Sequence, residues 1–276
     1  MKILHIVPEL NEANGVFVVA RLLARESGDA AVVGLDEGLR RIGDGDVEEV
    51  WVHGMWLPRE WAACRRVLKA GKRLVRMTHG SLSPIYLKYQ SSFKKRLVGP
   101  IERWVLRRCA KIVATCEAEK EWIEAYLGKR CPKVEVTDVK RFFDLNHVDH
   151  VEHVEGRALH LLYLGRRHPL KGLEYLEQAV KGIEGVELRI VSNAFGEEKE
   201  KVWDWCDVLI LPTLSENFGL VVAEALERGK RVITTDGAPA WEDLTEAQGI
   251  YLKGFRDGSD EIRVKLLKDA LTQFVE

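Results

Sequence analysis

The chain has 276 residues, a formal net charge of −1 and 46% hydrophobic residues, so it can bury one large core or two small ones. The near-zero charge gives no global case for nucleic-acid binding, and no apolar run approaches the ~20 residues of a membrane span. Five scattered cysteines (Cys64, Cys109, Cys116, Cys131, Cys206), odd in number and without a Cys-x-x-Cys pair, argue for a reducing compartment and against a structural zinc site.

The first residues, Met1-Lys2-Ile3-Leu4-His5-Ile6-Val7, are too short for a signal sequence and read as a first strand, Lys2–Val7. A cytoplasmic, soluble protein is therefore expected. Further short apolar runs predict strands at Ala30–Leu35, Glu49–His53, Arg73–Thr78, Lys111–Thr115 and Lys133–Val136, mostly separated by helical patterns. This alternation implies a parallel sheet with helices on both faces. Ligands of such sheets sit at the carboxyl ends of the strands. After the first strand, Asn14-Gly15 precedes a helix. Gly15 would let a ligand phosphate approach the backbone, although spacing alone favours a plain turn glycine. His53 and Trp56 follow the third strand, where an aromatic ring can stack on a sugar face; ordinary packing is equally compatible. His79 ends the fourth strand and precedes Gly80, with Ser81 and Ser83 beyond it.

The stretch from Lys88 to Lys111 interleaves Lys94, Lys95, Arg96, Arg103, Arg107 and Arg108 with Tyr89, Phe93, Leu97, Trp104, Val105 and Leu106. A basic helix of this kind can lie on an anionic membrane or bind an anionic acceptor. It suits somewhat better a surface helix whose apolar side packs on the sheet. Phe142–Gly156 holds His147, His150 and His153 among acidic residues. Helical spacing would let two of these histidines meet a metal, but the stretch reads better as a polar linker. The composition shift there divides the chain into domains 1–152 and 153–276.

The second half repeats the alternation, with strands at Ala158–Leu164, Val186–Val191, Asp207–Leu211, Arg231–Thr234 and Gly249–Leu252. Arg166 and Lys171 follow the first of these. Two cations near the start of a helix can neutralise a diphosphate leaving group. The third strand runs into Pro212-Thr213-Leu214-Ser215-Glu216-Asn217-Phe218-Gly219-Leu220-Val221-Val222-Ala223-Glu224-Ala225-Leu226. A helix is expected from about Gly219, with Glu224 its sole polar residue up to Leu226. A carboxylate on so apolar a helix is costly unless hydrogen-bonded, and a ligand hydroxyl is one candidate partner. Free N–H groups at the helix start suit a phosphate. Loop and helix together therefore suit a nucleotide sugar. From Asp260 an amphipathic helix runs to the end.

This stretch resembles the Glu-x7-Glu motif of retaining glycosyltransferases of the GT-B fold, family four. The resemblance continues through Arg231-Val232-Ile233-Thr234-Thr235-Asp236, and is also carried by Leu164-Gly165-Arg166-Arg167-His168-Pro169-Leu170-Lys171-Gly172 and Met77-Thr78-His79-Gly80. Trp241-Glu242 resembles the branch that includes lipopolysaccharide-type transferases. The resemblance implies two Rossmann-like α/β domains across a cleft, with the acceptor on the first, the donor on the second and the last helix crossing back. It implies transfer of a sugar from a nucleotide donor to a glycan or glycolipid hydroxyl, with retention and without a metal or other cofactor. Glu224 would hold the ribose. Glu216 and Asn217-Phe218-Gly219-Leu220 would hold the sugar, Arg166 and Lys171 the phosphates, and His79 would orient the sugar. Two departures stand out. The family usually has two glycines where this chain has Asn14-Gly15, and the donor domain is abridged between Val191 and Asp207. They leave open a non-catalytic GT-B-like scaffold, or a GT-B nucleotide-sugar epimerase.

Overall fold

The computed structural model describes residues 2–12, 14–89, 93–145, 157–192 and 194–275. The chain forms two compact units, Met1–Val139 and Lys140–Glu276. The expected boundary at 152/153 and the histidines 147, 150 and 153 lie outside the described residues.

In the first unit the strands are β1 (Ile3–Val7), β2 (Ala30–Gly34), β3 (Glu49–His53), β4 (Arg73–Met77), β5 (Lys111–Ala114) and β6 (Val134–Val136). Six helices connect or flank them: α1 (Gly15–Ser27), α2 (Leu35–Arg41), α3 (Pro58–Lys69), α4 (Pro84–Tyr89), α5 (Phe93–Leu106) and α6 (Glu117–Leu127). All strand pairs are parallel, in the order β2-β1-β3-β4-β5-β6. The chain order reverses at β1, so right-handed crossovers place helices on both faces. Leu4, Ile6, Val50, Val52, Leu74 and Ile112 are buried without trace of exposure or nearly so. They are the apolar positions that predicted these strands.

The second unit holds β7 (Leu159–Leu164), α7 (Leu173–Val180), β8 (Val186–Val191), α8 (Gly196–Trp205), β9 (Val208–Leu211), α9 (Leu220–Glu227), β10 (Arg231–Thr235), β11 (Gly249–Leu252) and α10 (Asp260–Val275). Its sheet is also parallel, in the order β11-β10-β9-β7-β8. Every strand expected from the apolar runs is present, with ends differing by one residue at most. The abridged connection after β8 is the single helix α8. The amphipathic last helix buries Leu267, Ala270, Leu271 and Phe274, and it packs on α7.

Candidate functional site

The strand order of the second sheet reverses at β7, which lies between β9 and β8. In a doubly wound sheet the crevice outside such a reversal is where ligands bind. The loops that leave β7 and β9 are those that carry Arg166, Lys171 and Glu216. Backbone contacts lock the two loops together. Leu214 N–H donates to Leu170 C=O at 2.8 Å, and the Thr213 hydroxyl donates to the same oxygen at 3.0 Å. A Cβ on Gly172 would lie 2.0 Å from the Pro212 carbonyl oxygen, and its φ of 64° lies in the left-handed region, so only glycine allows this approach. The Tyr163 hydroxyl, inside the unit, donates to Arg166 C=O at 2.8 Å and fixes the start of the first loop. Burial, then the nearby Glu216 carboxylate, pushes the Tyr163 phenol well above its usual range. That phenol therefore stays a hydrogen-bond donor.

The β10 side holds the second loop as firmly. Glu216 N–H donates to Gly237 C=O at 2.8 Å, and Thr234 and Thr235 donate their hydroxyls to Leu211 C=O at 3.2 Å and Thr213 C=O at 2.5 Å. The buried Trp241 donates its indole N–H to Phe218 C=O, and its ring packs on Phe218. The Trp241-Glu242 pair therefore divides its work. Trp241 braces the loop, while Glu242 lies on the surface beside Lys253. Gly219 then turns with φ 72° and α9 begins with no side-chain cap, which leaves its first N–H groups available to an anion.

Each of the two glutamates has a lysine partner. Glu216 pairs with Lys171, and its other oxygen accepts from Asn217 N–H at 3.2 Å. Glu224, one turn into α9, pairs with Lys199 at 2.7 Å. Lys199 lies on α8 in the abridged connection and was not singled out from sequence, because it stands in the run Glu197-Glu198-Lys199-Glu200-Lys201, where no one charge is distinguished. Arg166 is exposed and, among the described residues, has no ion-pair partner. His168 accepts from Leu170 N–H at 3.2 Å and caps the short turn that leads to Lys171. Lys171, Glu216, Asn217, Phe218, Gly219, Leu220 and Glu224 thus gather at one end of one sheet, with Arg166 at the rim.

Gly15 and His79 belong to the first unit. Gly15 is the first residue of α1, and the side chain of Asn14 already accepts from Val16 N–H at 3.0 Å. His79 sits just past β4, half-buried, with φ 49°. Its Nε2 is 2.9 Å from Nδ1 of His53, whose Nε2 is 3.0 Å from Nδ1 of His5. Burial, then the Arg76 charge, lowers His79 to about 3, and burial lowers His5 to about 4. All three rings are neutral at ordinary pH, since burial foremost also holds His53 well below its usual range. The reading of His53 as an acceptor-lining residue is corrected: it is 0% exposed, deep in the sheet, and both its ring nitrogens are taken up by His5 and His79. Ser83 is likewise structural, its hydroxyl accepting from Tyr86 N–H at 3.2 Å at the start of α4.

In the basic stretch, α5 splits its apolar residues. Val105 and Leu106 enter the core, while Leu97, Ile101 and Trp104 are 62%, 43% and 43% exposed along one helix face. Arg108 stacks on Trp104 at 4.1 Å. No helix among the described residues is long and apolar enough to cross a membrane. Nor, among them, is any group of three or more His, Cys, Asp or Glu arranged to hold a metal ion.

Residues 13–147 match Glycosyltransferase Family 4, and residues 145–262 match Glycosyl transferases group 1. No curated protein matches the sequence. Among solved structures, the crystal structure of Anabaena Alr3699/HepE in complex with UDP-glucose superposes with a TM-score of 0.70 at 14% identity, covering 99% of this chain and 90% of that one. Sucrose-phosphate synthase from Thermosynechococcus elongatus gives 0.66 at 12% identity, covering 100% and 90%. The lipopolysaccharide outer core galactosyltransferase WaaB, in its apo form, gives 0.60 at 12% identity, covering 100% and 92%. At these identities the likeness shows a shared fold.

Proposed function

We propose, from a chain that belongs to the glycosyltransferases, its halves carrying a family-four and a group-1 domain, that it moves a sugar from a nucleotide-sugar donor to a hydroxyl of a glycan or glycolipid. The observation that carries this reading is the convergence, at the strand-order reversal of the second sheet, of two lysine-paired glutamates and an uncapped helix start. HepE was solved with UDP-glucose, with UDP and glucose, and with UDP, and that supports a nucleotide-sugar donor here.

The roles follow from the chemistry of each group. Glu224 accepts hydrogen bonds from the ribose hydroxyls, which exchange with the Lys199 ammonium. Glu216 and the backbone from Asn217 to Leu220 hold the transferred sugar. Arg166 and Lys171 neutralise the diphosphate as charge develops on it, helped by the first N–H groups of α9. Two cations doing that work make a metal unnecessary. In the first unit, His79 meets substrate through its neutral ring, and Gly15 lies beside the substrate path. Retention at the anomeric carbon rests on the family resemblance alone.

The test is a transfer assay with labelled nucleotide sugars and a panel of glycan and lipid acceptors. Glu216→Gln and Lys171→Ala should each lower kcat on the order of 100-fold. Unchanged transfer in both would sink the site assignment while leaving the activity standing. A product formed without any acceptor would point to an epimerase, and no turnover with any donor to a scaffold.

The exposed face of α5 favours one addition, contact with an anionic membrane. Leu97, Ile101 and Trp104 would enter the interface with Arg108 at its edge. Sedimentation with phosphatidylglycerol vesicles at low salt should be lost in Trp104→Glu. If the unaltered chain fails to sediment, this contact is dropped.

A further inference from the structure

We infer that His53 and His5 are positioning residues for His79, and that Glu119 fixes the backbone beneath it. The inference rests on the reading that His79 meets substrate.

His5, His53 and His79 lie on one face of the first sheet. His5 is in register with Trp51, and His53 with Met77. Side chains alternate along a strand, so positions 51 and 53 share that face, and the His79 ring, just past β4, meets it at His53. Trp51 packs against the His5 ring at 5.0 Å and the His53 ring at 6.3 Å. The polar chain therefore runs from mid-β1, through the end of β3, to the residue just past β4. Its inner members, His5 and His53, are 1% and 0% exposed, while His79 is half-buried at the carboxyl end of the sheet.

A neutral imidazole has one N–H and one lone pair. The first hydrogen bond joins Nδ1 of His5 to Nε2 of His53, and the second joins Nδ1 of His53 to Nε2 of His79. Both bonds form together in two arrangements only. Either all three rings carry the proton on Nε2, and Nδ1 of His79 is an acceptor, or all three carry it on Nδ1, and that atom is a donor. Any mixed arrangement breaks a bond in a buried place, which is costly. What His79 offers a substrate hydroxyl is thus set in step with a ring two strands away. Arg76, fully buried on the same strand, disfavours a proton added to the chain.

The backbone is held independently. His79 and Gly80 have φ of 49° and 71°, two successive left-handed residues, the first a non-glycine. The fully buried Glu119 carboxylate spans this bend. One oxygen accepts from the Thr78 hydroxyl at 2.6 Å and from Gly80 N–H at 2.6 Å. The other accepts from Thr115 N–H at 2.8 Å and its hydroxyl at 2.9 Å. A strained residue held on both sides by buried polar groups marks a functional position more often than a loop accident.

The experiment uses the full chain labelled with 15N-histidine, read by long-range proton–nitrogen spectra and by the transfer assay. The unaltered protein should show one shared ring form for His5, His53 and His79. His5→Phe, which leaves the His79 contact untouched, should let His79 take both forms. His53→Phe should do the same and lower kcat roughly tenfold, the size of one lost buried hydrogen bond, with donor KM unchanged. Mixed ring forms in the unaltered protein, or His79 signals indifferent to His5→Phe, would overturn the inference, and the first of these needs no variant to fold. Coupled rings together with full transfer by His79→Ala would instead overturn the reading of His79 as a substrate contact.

Discussion

The first unit buries its polar groups, with Arg76 and Glu102 both 0% exposed and 3.5 Å apart, whereas the pairs of the second unit stay open to solvent, Lys171 and Glu216 at 16% and 20%, Lys199 and Glu224 at 27% and 26%. The difference is one of replaceability. Glu102 also accepts from Trp56 N–H at 2.6 Å and from the Trp61 indole at 2.7 Å, so it braces the turn after β3 and no ligand reaches it. The Lys171 and Lys199 ammonium groups hold carboxylates that stay partly open to solvent, which suits the proposed exchange with a donor's hydroxyls. Buried networks set shape, and open pairs can trade partners.

The largest effect should come from breaking the buried pair. Glu102→Ala leaves the Arg76 charge uncompensated and should cost about 3–5 kcal/mol in urea melts. Glu216→Gln and Glu224→Gln should each change stability by less than about 1 kcal/mol while impairing function. Comparable losses for all three would erase the distinction between the units.

Acid should act next, and through the first unit. His5, His53 and His79 sit below their ordinary value when folded, His5 at about 4 and His79 at about 3. Unfolding below pH about 6.5 therefore takes up protons, and each ring removes about 1.4 kcal/mol of stability per pH unit until its folded value is reached. Glu60 acts oppositely. Burial raises it to about 7, so it binds its proton more readily when folded and its contribution fades as pH rises from about 4.5 to about 7. Three rings against one carboxyl leave a net loss of stability on going from pH 7 to pH 5. Denaturant melts at the two values check the sign, and a gain at pH 5 would contradict it.

The smallest effect concerns Lys199. An open pair of this kind is worth about 1 kcal/mol or less. Lys199→Ala should therefore tighten donor-nucleotide binding by up to about fivefold by freeing Glu224. Titration calorimetry reads this directly, and weaker binding would make Lys199 itself a donor contact.

These contrasts also explain what the sequence disclosed. Strands such as β1, β9 and β10 were legible because each is a short apolar run buried on pairing, while the edge strands β6 and β8 alternate apolar with charged residues and stay partly exposed. The loops that leave β7 and β9 were legible as candidates because Glu216, Gly219 and Glu224 lie within one continuous stretch, and Arg166 and Lys171 within another. The partnerships were not. Lys199 reaches Glu224 only because α8 and α9 follow neighbouring crossovers, and its run of alternating charges gives no hint of it. His5, His53 and His79 are scattered across three strands, and parallel pairing in register brings them together. His53 was misread for that reason: a strand end looks open in sequence, but β3 is flanked by β1 and β4. At Gly172 and Gly237 close carbonyls exclude any side chain, a constraint that spacing along the chain does not display.

The measurement that bears most directly on the central claim is thermal unfolding of the full chain with UDP-, GDP- and ADP-sugars, beside Glu224→Ala. A nucleotide sugar at ~100 times its dissociation constant should stabilise the chain by about 2.7 kcal/mol. That shift is expected with one nucleotide class and is lost in Glu224→Ala. An undiminished shift in the variant, or no shift with any donor, would contradict a donor site built on Glu216 and Glu224.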